Sequence, residues 1–225
     1  VQGLGLPELR DFKREWSGKE RTVGDTFKKL FGREKPIRYR IASARYRINT
    51  MVRKLEVYGE RLKARDQELF NRVVDALMVK DQIRATMYAN EVAELRKIAK
   101  AVFMTQVALE QISLRLESIQ ELGDIAVNLA PVIELVRDLR VAIKDVLPEI
   151  GIELGEVHDI LNETMLEIGE VVGVPATGIA ASAEARRILE EARVIAEQRM
   201  KEMFPALPSA VPSTQTQTAP AEQGH

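Results

Sequence analysis

From Ile37 onward, apolar residues recur in steps of four and three: Ile37, Ile41, Ala44, Ile48, Met51, Leu55, Tyr58 and Leu62, then Leu69 and Ala76. Only Arg65 and Arg72 break the seam. That period predicts one α-helix of about 40 residues, about 60 Å long at 1.5 Å per residue. A helix of this length needs a partner along it. Pro36 sits where the helix would begin, because its fixed φ suits a first turn and its missing N–H costs nothing there. The segment Met78-Val79-Lys80-Asp81 is the predicted break, with Asp81 suited to cap the next helix. The seam then resumes at Leu95, Ile98, Val102, Thr105, Leu109, Ile112, Leu116, Ile119, Gly123 and Ala126. Two long helices joined by a tight turn predict an antiparallel hairpin over about 37–129.

The remainder reads as shorter helices. Ala101, Met104 and Ala108 widen the apolar surface beyond a two-helix seam, so a further helix or another subunit is expected there. Pro131 and Pro148 are expected to bound a third, short helix. Gly151, Gly155, Gly169 and Gly173 flank an acidic amphipathic segment, and Val174–Gly178 reads as a loop. Ser182 is the expected cap of a last helix, striped by Ala185, Ile188, Ala192 and Ile195 and ending near Phe204-Pro205. The fold class is therefore all-α: a long antiparallel helical hairpin with shorter C-terminal helices packed on it, within a helical domain over 36–203 and without a β-sheet. Residues 1–35, punctuated by glycine, read as an irregular amphipathic and basic arm. Residues 204–225, rich in Pro, Ser, Thr and Gln and almost uncharged, read as a disordered tail.

Charge adds a second pattern. The net charge of −1 conceals two opposed halves: residues 1–100 hold 24 Lys+Arg against 14 Asp+Glu, and residues 101–225 hold 9 against 20. Nets of +10 and −11 predict a chain that folds its acidic half back onto its basic half. The densest basic run, Lys28 to Arg65, has 13 cations against three glutamates and suits an anionic surface. Beside it, Phe27, Leu30 and Phe31 surround Lys28 and Lys29, and Leu9, Phe12 and Trp16 fall near one helical face. Trp16, Phe27, Lys28, Lys29, Leu30, Phe31, Arg38, Arg40, Arg45 and Arg47 are the candidate membrane-binding residues. No apolar run approaches the roughly 18–20 residues of a bilayer span, so a soluble or peripheral protein is expected.

Catalytic chemistry finds little footing. The chain has no cysteine and two histidines, His158 and His225, neither near a plausible nucleophile. The helices lack the paired Glu-x-x-His motifs of di-iron bundles, and no phosphate-cradling Gly-x-x-x-x-Gly-Lys-Ser/Thr loop occurs. No enzyme activity, cofactor or metal is expected. What remains is a proline-interrupted apolar strip, with Phe204, Pro205, Leu207, Pro208, Val211 and Pro212, which suits recognition in a partner's groove.

Four segments in this order resemble the ESCRT-III family, in its archaeal, CdvB-like cell-division branch. They are Phe-Lys-Lys-Leu-Phe-Gly-Arg at 27–33, the long basic hairpin, Ala-Leu-Glu-Gln-Ile-Ser-Leu-Arg-Leu-Glu-Ser-Ile-Gln-Glu-Leu-Gly-Asp at 108–124, and Arg-Met-Lys-Glu-Met-Phe-Pro-Ala-Leu-Pro at 199–208. The resemblance implies cytoplasmic subunits that polymerise with themselves and with paralogous chains at the membrane of the division site. It also implies an AAA ATPase that docks its small helical MIT domain on Pro205, Leu207, Pro208, Val211 and Pro212. Some relatives continue into a winged-helix module that binds a recruiting factor; the sequence shows none after the strip, and direct lipid contact is expected. A phage-shock-like membrane stabiliser is the alternative, sharing the hairpin but not needing the strip. A nucleoid-associated protein is disfavoured, because the acidic half would compete with nucleic acid for the hairpin.

Overall fold

The computed structural model describes residues 36–119, 122–172 and 178–208. The arm over 1–35, most of the expected 174–178 loop and the tail beyond residue 208 lie outside the described residues. Those described form five helices and no strand. The first, α1, runs Ile37–Met78 and the second, α2, Gln82–Ser118. Pro36 precedes α1 in an extended conformation, and its carbonyl accepts from the amides of Tyr39 and Arg40.

The break between α1 and α2 is a Schellman turn. Lys80 sits in the left-handed region at φ 58°, its N–H donating to Leu77 O at 3.0 Å while that of Asp81 donates to Ala76 O at 2.9 Å. Asp81 then caps α2, as its position predicted, its carboxylate accepting from Arg84 N at 3.0 Å. One residue therefore closes one helix and opens the next. Three cross-helix contacts follow from that geometry, each placed symmetrically about Asp81. Ser113 Oγ donates to Asn49 Oδ1 at 2.7 Å, 32 residues to either side. Arg96 grips Asp66, 15 to either side, with Nε and Nη2 at 2.7 and 2.9 Å. The Phe103 ring lies over Gly59, 22 to either side, where an added Cβ would fall 2.7 Å from the ring. Polar pins inside an apolar seam fix register, because any slip leaves a buried donor or charge unpaired.

The second helix ends at Ser118, short of the expected 129, and Ile119 is extended at ψ 93°. The chain turns into α3, Leu122–Ile143, with Pro131 inside that helix rather than at its start. An interior proline costs about 3 kcal/mol through a lost hydrogen bond and a clash with the preceding turn. Fully burying an aliphatic side chain returns roughly 1.5–3 kcal/mol, and Leu129, Val132, Leu135, Val136 and Leu139 around Pro131 are all fully buried. Burial wins, and the helix runs through. A turn at Lys144–Val146 ends α3 near the expected Pro148 boundary, and Pro148 itself opens α4, Pro148–Val172. Gly151, Gly155 and Gly169, expected to flank an acidic segment, lie within α4 instead, and Gly173 falls outside the described residues. At Gly151 an added Cβ would meet the Lys144 backbone at 3.0 Å, so glycine permits this close crossing. The last helix, α5, is Gly178–Met203; it starts a turn before Ser182 because Ala181 already carries its buried stripe, and it stops before Phe204-Pro205 as predicted.

Helix α3 packs against α4, α5 and α2, while α4 also covers α1 and α5 covers α2. The main core joins residues 37–55 of α1, residues 102–116 of α2 and Ile119 after it to these three helices. Beyond it the hairpin continues alone toward its turn, held by a thin seam of Leu69, Val73 and Ala76 with Ala85, Ala89 and Val92.

Two substitutions should move stability in opposite directions. Gly59→Val should lower stability by about 1–3 kcal/mol, since its Cβ would fall 2.7 Å from the Phe103 ring and displace it from its packing. Lys80→Gly should raise it by about 0.5–1 kcal/mol by relieving the left-handed backbone. Thermal unfolding followed by circular dichroism reads both; equal melting temperatures would contradict the packing described.

Candidate functional site

The cations of α1 are not bare. Arg40 pairs with Glu167 at 2.6 Å, both ends largely enclosed, and Arg47 and Lys54 pair with Glu156 and Glu153. All three acids belong to α4. Arg40, Arg47 and Lys54 recur every seven residues, two turns of helix, so they form one ladder on α1. Glu153, Glu156 and Glu167 are three and eleven apart, again near whole turns, and α4 lays them antiparallel against that ladder. Arg45 instead pairs within the hairpin, with Glu117 of α2 at 2.7 Å. Arg38 is exposed and has an interaction of its own. Lys54 was not among the predicted site residues, although its heptad spacing from Arg40 and Arg47 was visible in the sequence.

A second ladder ties α5 to α2. Lys100 meets Glu197 at 2.7 Å, Arg115 meets Glu184, and Arg199 approaches Glu110 at 3.7 Å. The hydrogen bond and charge of Lys100 lower the Glu197 pKa, and the hydrogen bond from Lys54 to Glu153 raises the Lys54 pKa. Most of these groups reach solvent, so each pair is weak and screened by salt. The α1–α4 ladder and Lys100–Glu197 lay the acidic half on the basic half, whereas Arg115–Glu184 and Arg199–Glu110 join helices within the acidic half.

The strip divides at its first residue. Phe204 is only 6% exposed, its ring 6.3 Å from that of Phe103 and beneath the Arg96 guanidinium at 5.5 Å. It is therefore part of the hairpin's packing rather than of an accessible strip, because Gly59 seats the Phe103 ring where Phe204 can cover it. Pro205 and Ala206 are exposed, and Leu207 and Pro208 half-buried. Val211 and Pro212 lie outside the described residues, as do Trp16, Phe27, Lys28, Lys29, Leu30 and Phe31. Beside Phe103 opens a groove of about 860 Å³ between α1 and α5, with Val57, Ala64 and Met203 as apolar walls and Glu56, Glu60 and Arg61 at its margin.

Among the described residues no cluster of three or more potential metal ligands converges, and no helix is long and apolar enough to cross a membrane. The arrangement is a cationic helix face paired with glutamates of α4, and an apolar strip whose first residue is rooted in the hairpin.

No family model matches the chain, and no solved structure does. Curated relatives do match, and the chain belongs to the archaeal, CdvB-like branch of the ESCRT-III family. Cell division protein B1 of Sulfolobus acidocaldarius is 49% identical over 201 residues, 89% of this chain and 91% of the relative. Cell division protein B of the same organism is 29% identical over 148 residues, covering 66% and 57%.

The pKa directions set a pH window for the closed arrangement. A depressed Glu197 contributes stability above the ordinary glutamate range and loses it as pH falls through its lowered value. A raised Lys54 contributes below the ordinary lysine range and loses it as pH rises through its elevated value. The hydrodynamic radius should accordingly stay constant from about pH 6 to pH 9 and grow only beyond carboxylate or lysine titration. Expansion already near about pH 6 would assign the closure to other groups.

Proposed function

We propose that this chain is a filament-forming subunit of cell division that polymerises at the cytoplasmic face of the membrane and constricts or cuts it there. A partner AAA ATPase then recycles the subunits through the strip from Leu207 to Pro212. The observation that carries this reading is the covering of the Arg40–Arg47–Lys54 ladder by glutamates of α4. Arg47 and Lys54 face solvent-reached carboxylates that the phosphates of an anionic membrane can replace, while Arg40 and Glu167 are largely enclosed. The division role is supported by the relatives, both of them cell division proteins.

Assembly with itself or with paralogous chains is supported by apolar residues the fold leaves uncovered. Tyr39, Tyr46 and Val57 stand on the outer face of α1, and Met78, Val79, Ile83 and Met87 at the hairpin turn, each more than half exposed. The two patches differ, so contact between them is heterologous and propagates an open filament rather than a closed pair. Nucleic acid is not proposed, since the same glutamates would compete for the ladder without a lipid surface to displace them cooperatively.

Replacing Glu153, Glu156 and Glu167 together by Gln in the full chain unpairs the ladder without adding a cation, and raises the net charge by three. That variant should bind anionic liposomes at about tenfold lower lipid concentration than wild type, with the gain lost in high salt and absent on neutral lipid. Negative-stain images should show filaments of both proteins on anionic liposomes. A chain that stays monomeric with and without lipid would refute the reading. For the ATPase, Leu207→Asp with Pro208→Asp should abolish MIT-domain binding and leave helix content unchanged; unaltered affinity would remove that partner.

A further inference from the structure

Phe204 is the first residue beyond α5 and the N-terminal end of the apolar strip, yet the fold uses it as a core residue. Its amide continues the helix, donating to Met200 O at 3.0 Å, so the ring has a fixed direction. It enters a pocket separate from the main core, formed with Ala99, Phe103 and Ala196 and bordered by Leu62, Leu95, Met200 and Met203. One wall is the Arg96 guanidinium. A long cationic side chain would ordinarily be free to swing away, but Asp66, 1% exposed, holds its Nε–Nη2 edge with both carboxylate oxygens. The carboxylate thus orients the cation, whose Cζ lies over the Phe204 ring, 5.5 Å from its centroid.

We infer that Phe204 is a latch: its withdrawal from the Phe103–Arg96 pocket and the release of the C-terminal end of α5 from the hairpin are one event. This rests on the reading of the strip as a partner site, and it adds how capture is transmitted. A partner that grips at Leu207 holds a handle three residues from the latch, across Pro205, which stiffens the connection. Traction there is delivered to Phe204 before any other contact of α5. Phe204 also divides the attachment of α5 into two kinds. The pairs Lys100–Glu197 and Arg115–Glu184 weaken with salt, whereas burial of an aromatic ring does not. Salt therefore weakens these pairs, Glu197 near the end of α5 included, and leaves Phe204 and the apolar stripe of Ala185, Ile188 and Ala192 in place.

Hydrogen exchange of the full chain tests this without any partner. Phe204→Ala should raise exchange of the amides of residues 195–203 about tenfold, leave residues 37–55 unchanged, and give its largest effect at high salt. Phe204→Leu, which retains apolar bulk but loses the face presented to Arg96, should show about a threefold rise. A fluorescent peptide of residues 199–212 should bind the Phe204→Ala chain, whose pocket is vacant, and not wild type. Exchange within about twofold of wild type at both salt levels, or a rise spread equally over all helices, would overturn the latch. So would peptide binding that is equal for the two chains. Failure of the ATPase to bind leaves these results unaffected, so the latch and the partner assignment fail separately.

Discussion

The register of α1 against α2 is the constraint on which the rest of the molecule depends. The Schellman turn at Lys80 and the cap at Asp81 leave no free residue between the helices, so the pairing of every later position is fixed by counting outward. Gly59 then meets Phe103, and Asp66 meets Arg96. Those two encounters build the pocket that Phe204 fills. The same register sets which face of α1 remains for α4 and which face of α2 for α5. Apolar burial supplies most of the stability, but it is indifferent to a slip of one helical turn along a seam so uniform; the Asn49–Ser113 and Asp66–Arg96 pins are not.

On that frame, two kinds of attraction act over different ranges. The three C-terminal helices are held by a dry core around residues 102–119 and by two ladders of ion pairs on its outside. The core is insensitive to ionic conditions, and the ladders are not. A subunit with both can keep its helices intact while altering which surface its glutamates cover. The opposed charges of the two halves thereby act between helices rather than as a property of the whole chain.

The hairpin was legible because a four-three period over some 40 residues admits few alternatives, and the Asp81 break because a capping residue stood where the seam failed. The end of α2 was not legible: the apolar spacing continues through Gly123 and Ala126, and periodicity is blind to a change of direction that keeps it. Pro131 and Ser182 misled for a related reason. Local preference marked them as boundaries, and burial of Leu129, Val132 and Ala181 overrode it. Of the site, the cations Arg40, Arg45 and Arg47 were visible, but their carboxylate partners were not, since pairing across more than 70 residues leaves no local trace. Phe204 was read with the tail because proline follows it; the ring's own pocket becomes visible only once the register places Phe103 and Arg96 side by side.

A turn without slack has a consequence for how such a molecule can change over evolutionary time. Inserting one residue in either helix would rotate everything beyond it by about 100°, carrying the pins away from their partners. Only matched additions survive, seven residues in each helix between the turn and the nearest pin, which lengthen the projection by about 10 Å and return every contact to its place. Descendants of this chain are free to differ in reach by whole paired heptads, and in little between.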